Sequence, residues 1–413
     1  MNTDTPLLKI IHTSDWHLGQ SFYNHDRLND SRNFLSQLAD AVHAEQPDAL
    51  LVSGDVFDVP APGAAAQRLY CEALLSIHDA CPGMSIIVTA GNHDSASRLE
   101  ASGELWRRAN VTVLGGIHRK PDSSADFDSH ILPVTRSGNT VGYVAAVPFA
   151  YAQNFPAADA CTDKVQRQAN FFSGLLGRVA EINTGHCPVV VMAHIAVTGG
   201  NGSPTGEIGN IDCVPLSTFG SGYDYLALGH IHQPHTMHAA DGSVARYCGS
   251  PIALSFDEDY QHSVTVASLS AGRQPQIREI AIAEPVPLIT VPQQPVEIAE
   301  ALAALNSDIP DDKPCYIRLN VKTADYIPGN SYALAQEATA SKVAKFCDIK
   351  VTKPAADAAS HATDGFTPQE ILEADPLNIA KMYYHQTHGT EMDHDLVDMM
   401  NFAIEQTENA TQQ

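Results

Sequence analysis

Long apolar runs are missing from this chain. The most hydrophobic stretch, Val189-Val190-Val191-Met192-Ala193, stops at His194, far short of the roughly 18 apolar residues a membrane helix needs. Paired cysteines are missing too. The eight cysteines stand at 71, 81, 161, 187, 213, 248, 315 and 347, with none at CxxC spacing, so the expectation is reduced, buried thiols. Met1 to Leu8 carries Asp4 and no apolar run behind a basic start, which argues against a secretory leader and for a cytoplasmic protein with no membrane partner. Positive charge is scarce. Lys plus Arg total 24 against 48 Asp plus Glu, a formal net charge of −24. Such a field repels a phosphate backbone as a whole. A nucleic-acid partner would therefore have to be met by local basic patches, metal ions or another subunit.

What is present describes a globular protein. Hydrophobic residues make up 44% and charged residues 17% of 413 residues, enough to bury a core without staples and to exclude wholesale disorder. At about 150 residues per domain, two or three domains are expected. From Leu7 to about residue 255 one phrase recurs: a short apolar run, read as a strand, ends in a cluster of Asp, His, Asn and Gly. Lys9-Ile10-Ile11-His12 leads into Ser14-Asp15-Trp16-His17, Ala49-Leu50-Leu51-Val52 into Gly54-Asp55-Val56-Phe57-Asp58, and Ser85-Ile86-Ile87-Val88 into Gly91-Asn92-His93-Asp94. Val189 to Met192 leads into His194, and Tyr225-Leu226-Ala227-Leu228 into Gly229-His230-Ile231-His232. Helix-like stretches, Ser31 to His43 and Ala64 to His78, separate the early strands. The alternation predicts an α/β layered sandwich whose strands are buried on both faces. In such sheets ligands bind at the C-terminal strand ends, so the five clusters are expected to converge on one edge.

Glu284 to Pro295 holds four prolines and reads as a hinge. Beyond it, Cys315 to Val321 alternates like a strand, Tyr332 to Phe346 reads as a helix, and Asp348 to Thr352 as a further small strand. Lys313 to Lys353 carries seven basic residues against Asp325, Glu337 and Asp348. From Pro354 to Gln413 the sign reverses, with eleven acidic residues against Lys381 alone. Thr367-Pro368-Gln369-Glu370 has the form of a capping box, and Leu396, Met399, Met400 and Ala403 fall at helical spacing, with Phe402 and Ile404 nearby. The expected division is residues 1–284, 285–355 and 356–413.

Each polar cluster offers carboxylate, amide or imidazole donors and no thiolate. That set suits two divalent ions such as Mn2+, Fe2+ or Zn2+ better than a structural zinc. Asp55 is the natural bridging carboxylate, with Gly54 before it allowing a sharp turn off a buried strand. Asp15 and His17 alternate, so both reach one ion only from a loop or a kinked strand end, and His230 and His232 share that spacing. Singly each motif is weak, since Gly54-Asp55 could be an ordinary strand-end turn and Asn92-His93 an ordinary left-handed one. Five in this order, each directly after an apolar strand, make chance the poorer explanation. His12, His43 and His78 are read as structural or surface residues. Asp58 is either an orienting group behind a ligand or a helix cap.

These motifs resemble the calcineurin-like metallophosphoesterase superfamily. The wording His12-Thr13-Ser14-Asp15-Trp16-His17-Leu18-Gly19-Gln20, Gly54 to Asp58, Gly91-Asn92-His93-Asp94-Ser95 and Gly249 to Phe256 is similar to its SbcD branch, the nuclease subunits of bacterial SbcCD complexes. The resemblance is strong over residues 7 to about 260 and weaker beyond. It implies one metal ion on Asp15, His17, Asp55 and His232 and a second on Asp55, Asn92, His194 and His230. It also implies that His93 protonates the leaving oxygen or stabilises the transition state, oriented by Asp94. It further implies a Mn2+-dependent double-strand exonuclease and single-strand or hairpin endonuclease for DNA end processing, replication, recombination and repair, with an SbcC ATPase partner and a homodimer within a heterotetramer. On that footing residues 285–355 would be a small α/β domain capping the site, with Lys342, Lys345, Lys350 and Lys353 on DNA. Seven surface cations merely balancing acidic neighbours is the plainer alternative. The tail helices would dock on SbcC or, failing that, pack on their own domain. Another phosphoesterase of the same superfamily, acting on cyclic nucleotides or phosphomonoesters, is the rival activity.

Overall fold

A computed structural model of the chain describes residues 7–156, 163–198, 207–208, 211–324 and 327–353, with scattered positions between 377 and 400. Residues Met1–Thr352 form one compact unit and Lys353–Gln413 a second. The principal strands are β1 Leu8–Thr13, β2 Ala49–Ser53, β3 Ser85–Thr89, β4 Val111–Leu114, β5 Ile131–Arg136, β6 Asn139–Val147, β7 Val189–His194, β8 Tyr225–Gly229, β9 His235–His238, β10 Val244–Tyr247, β11 Ser263–Leu269 and β12 Gln276–Ala281. They make two six-stranded sheets, ordered β12-β11-β1-β2-β3-β4 and β9-β10-β8-β7-β6-β5. The central pairs β1–β2, β2–β3 and β7–β8 are parallel, so their C-terminal ends share one edge.

Burial on both faces explains why β2, β7 and β8 read as unbroken apolar runs. Every residue of these three strands is buried. Leu8, Ile10, Ala49, Leu51 and Ile87 of the first sheet meet Val144, Val190, Met192, Tyr225 and Ala227 of the second in one apolar cluster between the sheets. The alternate residues of the first sheet, Ile11, Leu50, Val52, Ile86 and Val88, pack under helices α1 Leu28–Glu45 and α2 Ala64–Ala80. α1 presents Phe34, Leu38 and Val42, and α2 presents Leu69, Ala73 and Ile77, the i, i+4, i+8 stripe of an amphipathic helix. Helix α3 Lys164–Ile182, capped by the Asp163 side chain on the Gln166 N–H at 2.7 Å, covers the far face of the second sheet through Phe172, Leu175 and Val179. The result is a helix–sheet–sheet–helix sandwich.

A third, three-stranded parallel sheet joins β13 Leu288–Val296, β14 Tyr316–Lys322 and β15 Lys345–Thr352, in that order. Helices α4 Ile298–Ser307 and α5 Ser331–Thr339 pack on it around Ala301, Leu305, Ile317, Leu319 and Ala335. Two expectations are corrected here. The proline-rich stretch is a strand from Leu288 onward, not a free hinge; Pro292 and Pro295 fall where the register shifts on an edge strand, the place a sheet tolerates a residue with no N–H. The helix expected over Tyr332 to Phe346 ends at Thr339, because Phe346 pairs with Ile317 in the sheet and both side chains enter the small core. Tertiary burial overrides helical periodicity there.

The capping-box residues Thr367 to Glu370, together with Phe402, Ala403 and Ile404, lie outside the described residues. Leu396 and Met399 are helical and exposed, Met399 by 69%.

Candidate metal centre

Four strand ends and one strand terminus deliver the donors. Asp15 and His17 follow β1, Asp55 and Asp58 follow β2, Asn92 and His93 follow β3, His194 closes β7, and His230 and His232 follow β8. The kink that Asp15 and His17 require is present. Asp15, His17, Asp55 and His230 all have left-handed backbone, with φ of 54°, 44°, 49° and 101°. Each such non-glycine residue costs on the order of 1 kcal/mol or more, and clustering of such strain marks functional sites. The strained loops are pinned to each other. Asp15 and His17 donate their N–H groups to the carbonyls of Gly54 and Asp55, both at 3.0 Å, and the His230 N–H donates to the Asp15 carboxylate at 3.0 Å.

Close approach of these loops demands glycine. A Cβ at Gly54 (φ +86°) would lie 2.2 Å from His194 Nδ1, and one at Gly91 would lie 2.1 Å from Asp55 Oδ1. Neither backbone could hold its neighbour with any side chain of its own.

The seven residues expected to bind metal are brought together by this geometry. Asp55 Oδ2 lies 3.3 Å from His194 Nε2 and 3.6 Å from His17 Nε2, the position of a group shared by two sets. Asn92 Oδ1 lies 3.0 Å from His194 Nε2 and 3.1 Å from His230 Nδ1. Donor atoms of Asp15, His17 and His232 lie within 4.8 Å of one another, as do those of Asp15, Asp55 and His194. His194 Nδ1 donates to the Ser53 carbonyl at 2.8 Å, which turns Nε2 toward the pocket.

Electrostatics show what is missing from a purely protein pocket. Asp15 and Asp55 are 0% and 2% exposed. Burial would raise the Asp55 carboxyl, but His194 and His17 beside it hold it well below the ordinary carboxylate range. Burial would lower His194, yet Asp55 and Asp15 lift it to about 9. The buried His17 Nε2 has no hydrogen-bond partner. Two buried carboxylates, an imidazolium standing where positive charge is wanted and an orphaned ring nitrogen fit divalent cations on oxygen and nitrogen donors.

Two expectations change around His93. Asp94 does not orient it. The Asp94 carboxylate accepts the backbone N–H groups of Gly91, Val56 and Phe57 at 2.8, 3.0 and 2.9 Å, so it staples two donor loops together instead. Burial is the main cause that raises this carboxyl. The His93 ring, exposed to solvent, donates from Nδ1 to the Asp58 carbonyl at 2.8 Å. The Asp58 side chain in turn lies 3.2 Å from His17 Nδ1. It caps no helix, since α2 begins six residues later after Gly63. Sequence reasoning missed Glu258. Its carboxylate holds His232 Nδ1 at 3.0 Å and accepts the Leu254 N–H at 3.0 Å. Burial would raise Glu258 and lower His232, but their contact moves each the other way. No spacing rule connects residues 26 apart on an irregular loop.

The four lysines of the small domain differ. Lys342 is turned inward, bonded to Asp311 and the Ile309 carbonyl, with its side chain 5% exposed. Lys345 sits over the Tyr316 ring, 5.2 Å from its centroid. Lys350 pairs with Asp257 at 3.5 Å with both side chains largely exposed, and Lys353 is exposed.

Comparison with known proteins follows the same line. Residues 8–234 match the family model described as calcineurin-like phosphoesterase. The chain is 38% identical over 320 residues to the SbcD nuclease of Rhodobacter capsulatus, covering 74% of this chain and 77% of that protein. It is 30% identical over 331 residues to the SbcD nuclease of Bacillus subtilis, covering 78% and 80%. The corresponding Escherichia coli K12 protein is 29% identical over 335 residues, covering 78% and 79%.

Proposed function

The chain belongs to the calcineurin-like phosphoesterase family, in its SbcD branch, and is a metal-dependent phosphodiesterase; from that premise we propose that it is the nuclease subunit of a two-subunit DNA-processing complex, with Mn2+ as its resident ion. The supporting observation is Asp55, whose single carboxylate oxygen faces His17 on one side and His194 on the other. One ion would be held by Asp15, His17, Asp55 and His232, and the other by Asp55, Asn92, His194 and His230. Bound there, two ions supply Lewis acidity to the phosphodiester and lower the pKa of a water that becomes the nucleophile. The chain's own groups do the rest. His93 donates to the Asp58 carbonyl through Nδ1, which leaves Nε2 as the other ring nitrogen; with both nitrogens protonated, Nε2–H hands its proton to the leaving oxygen and the ring is left neutral. Asp58 fixes both the His17 and the His93 rings, and Asp94 holds the Asp55 and Asn92 loops in register.

DNA is the substrate class, cut as an exonuclease on duplex ends and as an endonuclease on single strands and hairpins, in end processing, recombination, replication and repair. Lys345, Lys350 and Lys353 contact its backbone from the small domain, while Lys342 spends its charge on Asp311. The ATPase subunit SbcC binds the tail helices around Leu396 and Met399, and two copies of the assembly act as a heterotetramer in the cytoplasm. The test is direct. The purified chain with Mn2+ is assayed on hairpin DNA, single-stranded DNA, cyclic nucleotides and a phosphomonoester, alongside His93→Ala. The expected result is preferred cleavage of DNA over cyclic nucleotides and the phosphomonoester, with His93→Ala losing about 100- to 10,000-fold in rate at unchanged Mn2+ content. Preferred turnover of cyclic nucleotides or monoesters would overturn the nuclease reading.

A further inference from the structure

Beside the Asn92 donor lies a half-open cavity of about 460 Å³, bounded by Gly115, Gly116, Arg119, Phe149, Tyr151 and Asn154. None of these residues has a part in the metal chemistry. The Tyr151 ring is 58% exposed, large for an aromatic next to a catalytic pocket. It stands edge-to-face on Phe149, with centroids 5.1 Å apart. Phe149 is in turn tied to the donor loops: its N–H donates to the Ala90 carbonyl at 2.8 Å, and its ring lies 6.4 Å from that of His194. The aromatic pair is therefore held at a set position relative to the reacting centre.

The second feature is charge. Arg119 donates to two neutral carbonyls, Asn154 at 2.8 Å and Ser123 at 3.5 Å, and has no carboxylate partner among the described residues. The guanidinium therefore keeps its charge at the edge of the cavity, where it can receive an anion. The Asp94 carboxylate also borders the cavity but is consumed by three backbone N–H groups. Gly116 leaves open space, with nothing within 4 Å of where its Cβ would stand, so a planar ligand meets no side chain there.

We propose that this cavity is a nucleobase subsite: it takes one unpaired base next to the scissile phosphate, stacked on Tyr151, with Arg119 on a neighbouring phosphate. The inference rests on the DNA-nuclease reading and deepens it, because only an unstacked base presents a π-face to a tyrosine. Duplex DNA would have to fray or open at the cut to use it. Arg119 supplies the charge-assisted contact that a phosphate oxygen accepts.

The experiment uses the full chain with Mn2+ and a single-stranded oligonucleotide cut at a defined bond, with the adjoining base either present or replaced by an abasic tetrahydrofuran. Tyr151→Ala should lower kcat/KM about tenfold or more on the intact strand, and Tyr151→Phe should restore it, since stacking needs the ring and not the hydroxyl. On the abasic strand wild type and Tyr151→Ala should be equal, which also shows that the variant is folded. Arg119→Gln should reduce the slope of log(kcat/KM) against log[salt] by about 0.7, one single-strand phosphate contact. If Tyr151→Ala loses the same factor on both strands, or the abasic change costs wild type nothing, the subsite is wrong while the nuclease reading stands. If wild type cuts no DNA at all, the nuclease reading fails first.

Discussion

His130 shows how one side chain writes a pH dependence into the fold. It is fully buried, and both ring nitrogens are satisfied in the neutral form: Nδ1 donates to the Ala146 carbonyl at 2.8 Å and Nε2 accepts the His118 N–H at 3.0 Å. A second proton would set Nε2–H against N–H. Burial, with help from His118, accordingly lowers this histidine to about 4. The unfolded chain takes up the proton near pH 6.5 while the native one does not, so stability is full above 6.5 and falls as the pH drops toward 4. The slope is about 1.4 kcal/mol per pH unit from this residue. Urea midpoints for His130→Asn between pH 7 and 4 should start lower and decline less steeply than wild type; parallel curves would remove His130 as the cause.

Among elements, the loop after β10 does two jobs with adjacent residues. Glu258 holds His232, while Asp257 receives Arg318 of β14 at 2.9 Å and Lys350 of β15 at 3.5 Å. Phe256 lies under the Arg318 guanidinium, 5.0 Å away. The small sheet and the metal pocket thus share one short segment. Removing the group behind a ligand histidine lowers metal affinity by about 10- to 100-fold. Glu258→Ala is expected to weaken Mn2+ binding by that factor in calorimetric titration, with Glu258→Gln intermediate and Asp257→Ala close to wild type. Equal affinities for Glu258→Ala and wild type would reduce Glu258 to a packing residue. Which elements exist was legible in the strand phrases, whose apolar runs are buried on both faces. Where α5 stops was not, because the burial of Phe346 that ends it depends on β14, some 30 residues earlier in the chain.

Across the whole molecule, the small domain is docked rather than loosely tethered. Arg27 is 2% exposed, paired with Asp30 at 2.9 Å and set against both rings of the edge-to-face Phe22–Tyr316 pair, at 5.2 and 5.3 Å from their centroids. The Tyr316 hydroxyl donates to Asp30 at 3.1 Å. Its basic surface is thereby held on the same unit as the metal pocket. Charge reversal of Lys345, Lys350 and Lys353 should weaken DNA binding and flatten its salt dependence, by about 0.7 to 0.9 for each phosphate no longer neutralised. An unchanged salt slope would confine these cations to balancing acidic neighbours, as the exposed Lys350–Asp257 pair does at little energetic gain. Every residue gathered at the metal pocket lies within Met1–Thr352. Truncation after residue 355 should therefore spare Mn2+-dependent cleavage of a small phosphodiester and abolish capture of the ATPase subunit, read by size-exclusion chromatography. Loss of both would mean that the tail also supports the pocket.

The sequence alone determined that strands alternate with helices and end in metal-loving clusters, because period and residue chemistry are local properties. Asp15, His17, Asp55, Asn92, His194, His230 and His232 all stand in those clusters, and their choice as ligands is what the family resemblance implies. Only the tertiary structure decided that Asp94 staples backbone instead of steering His93, that Asp58 and Glu258 stand behind the donors, and that Lys342 faces inward. Those outcomes are hydrogen-bond choices between segments far apart in the chain, settled by which polar group burial leaves unsatisfied, and no spacing along one segment encodes them.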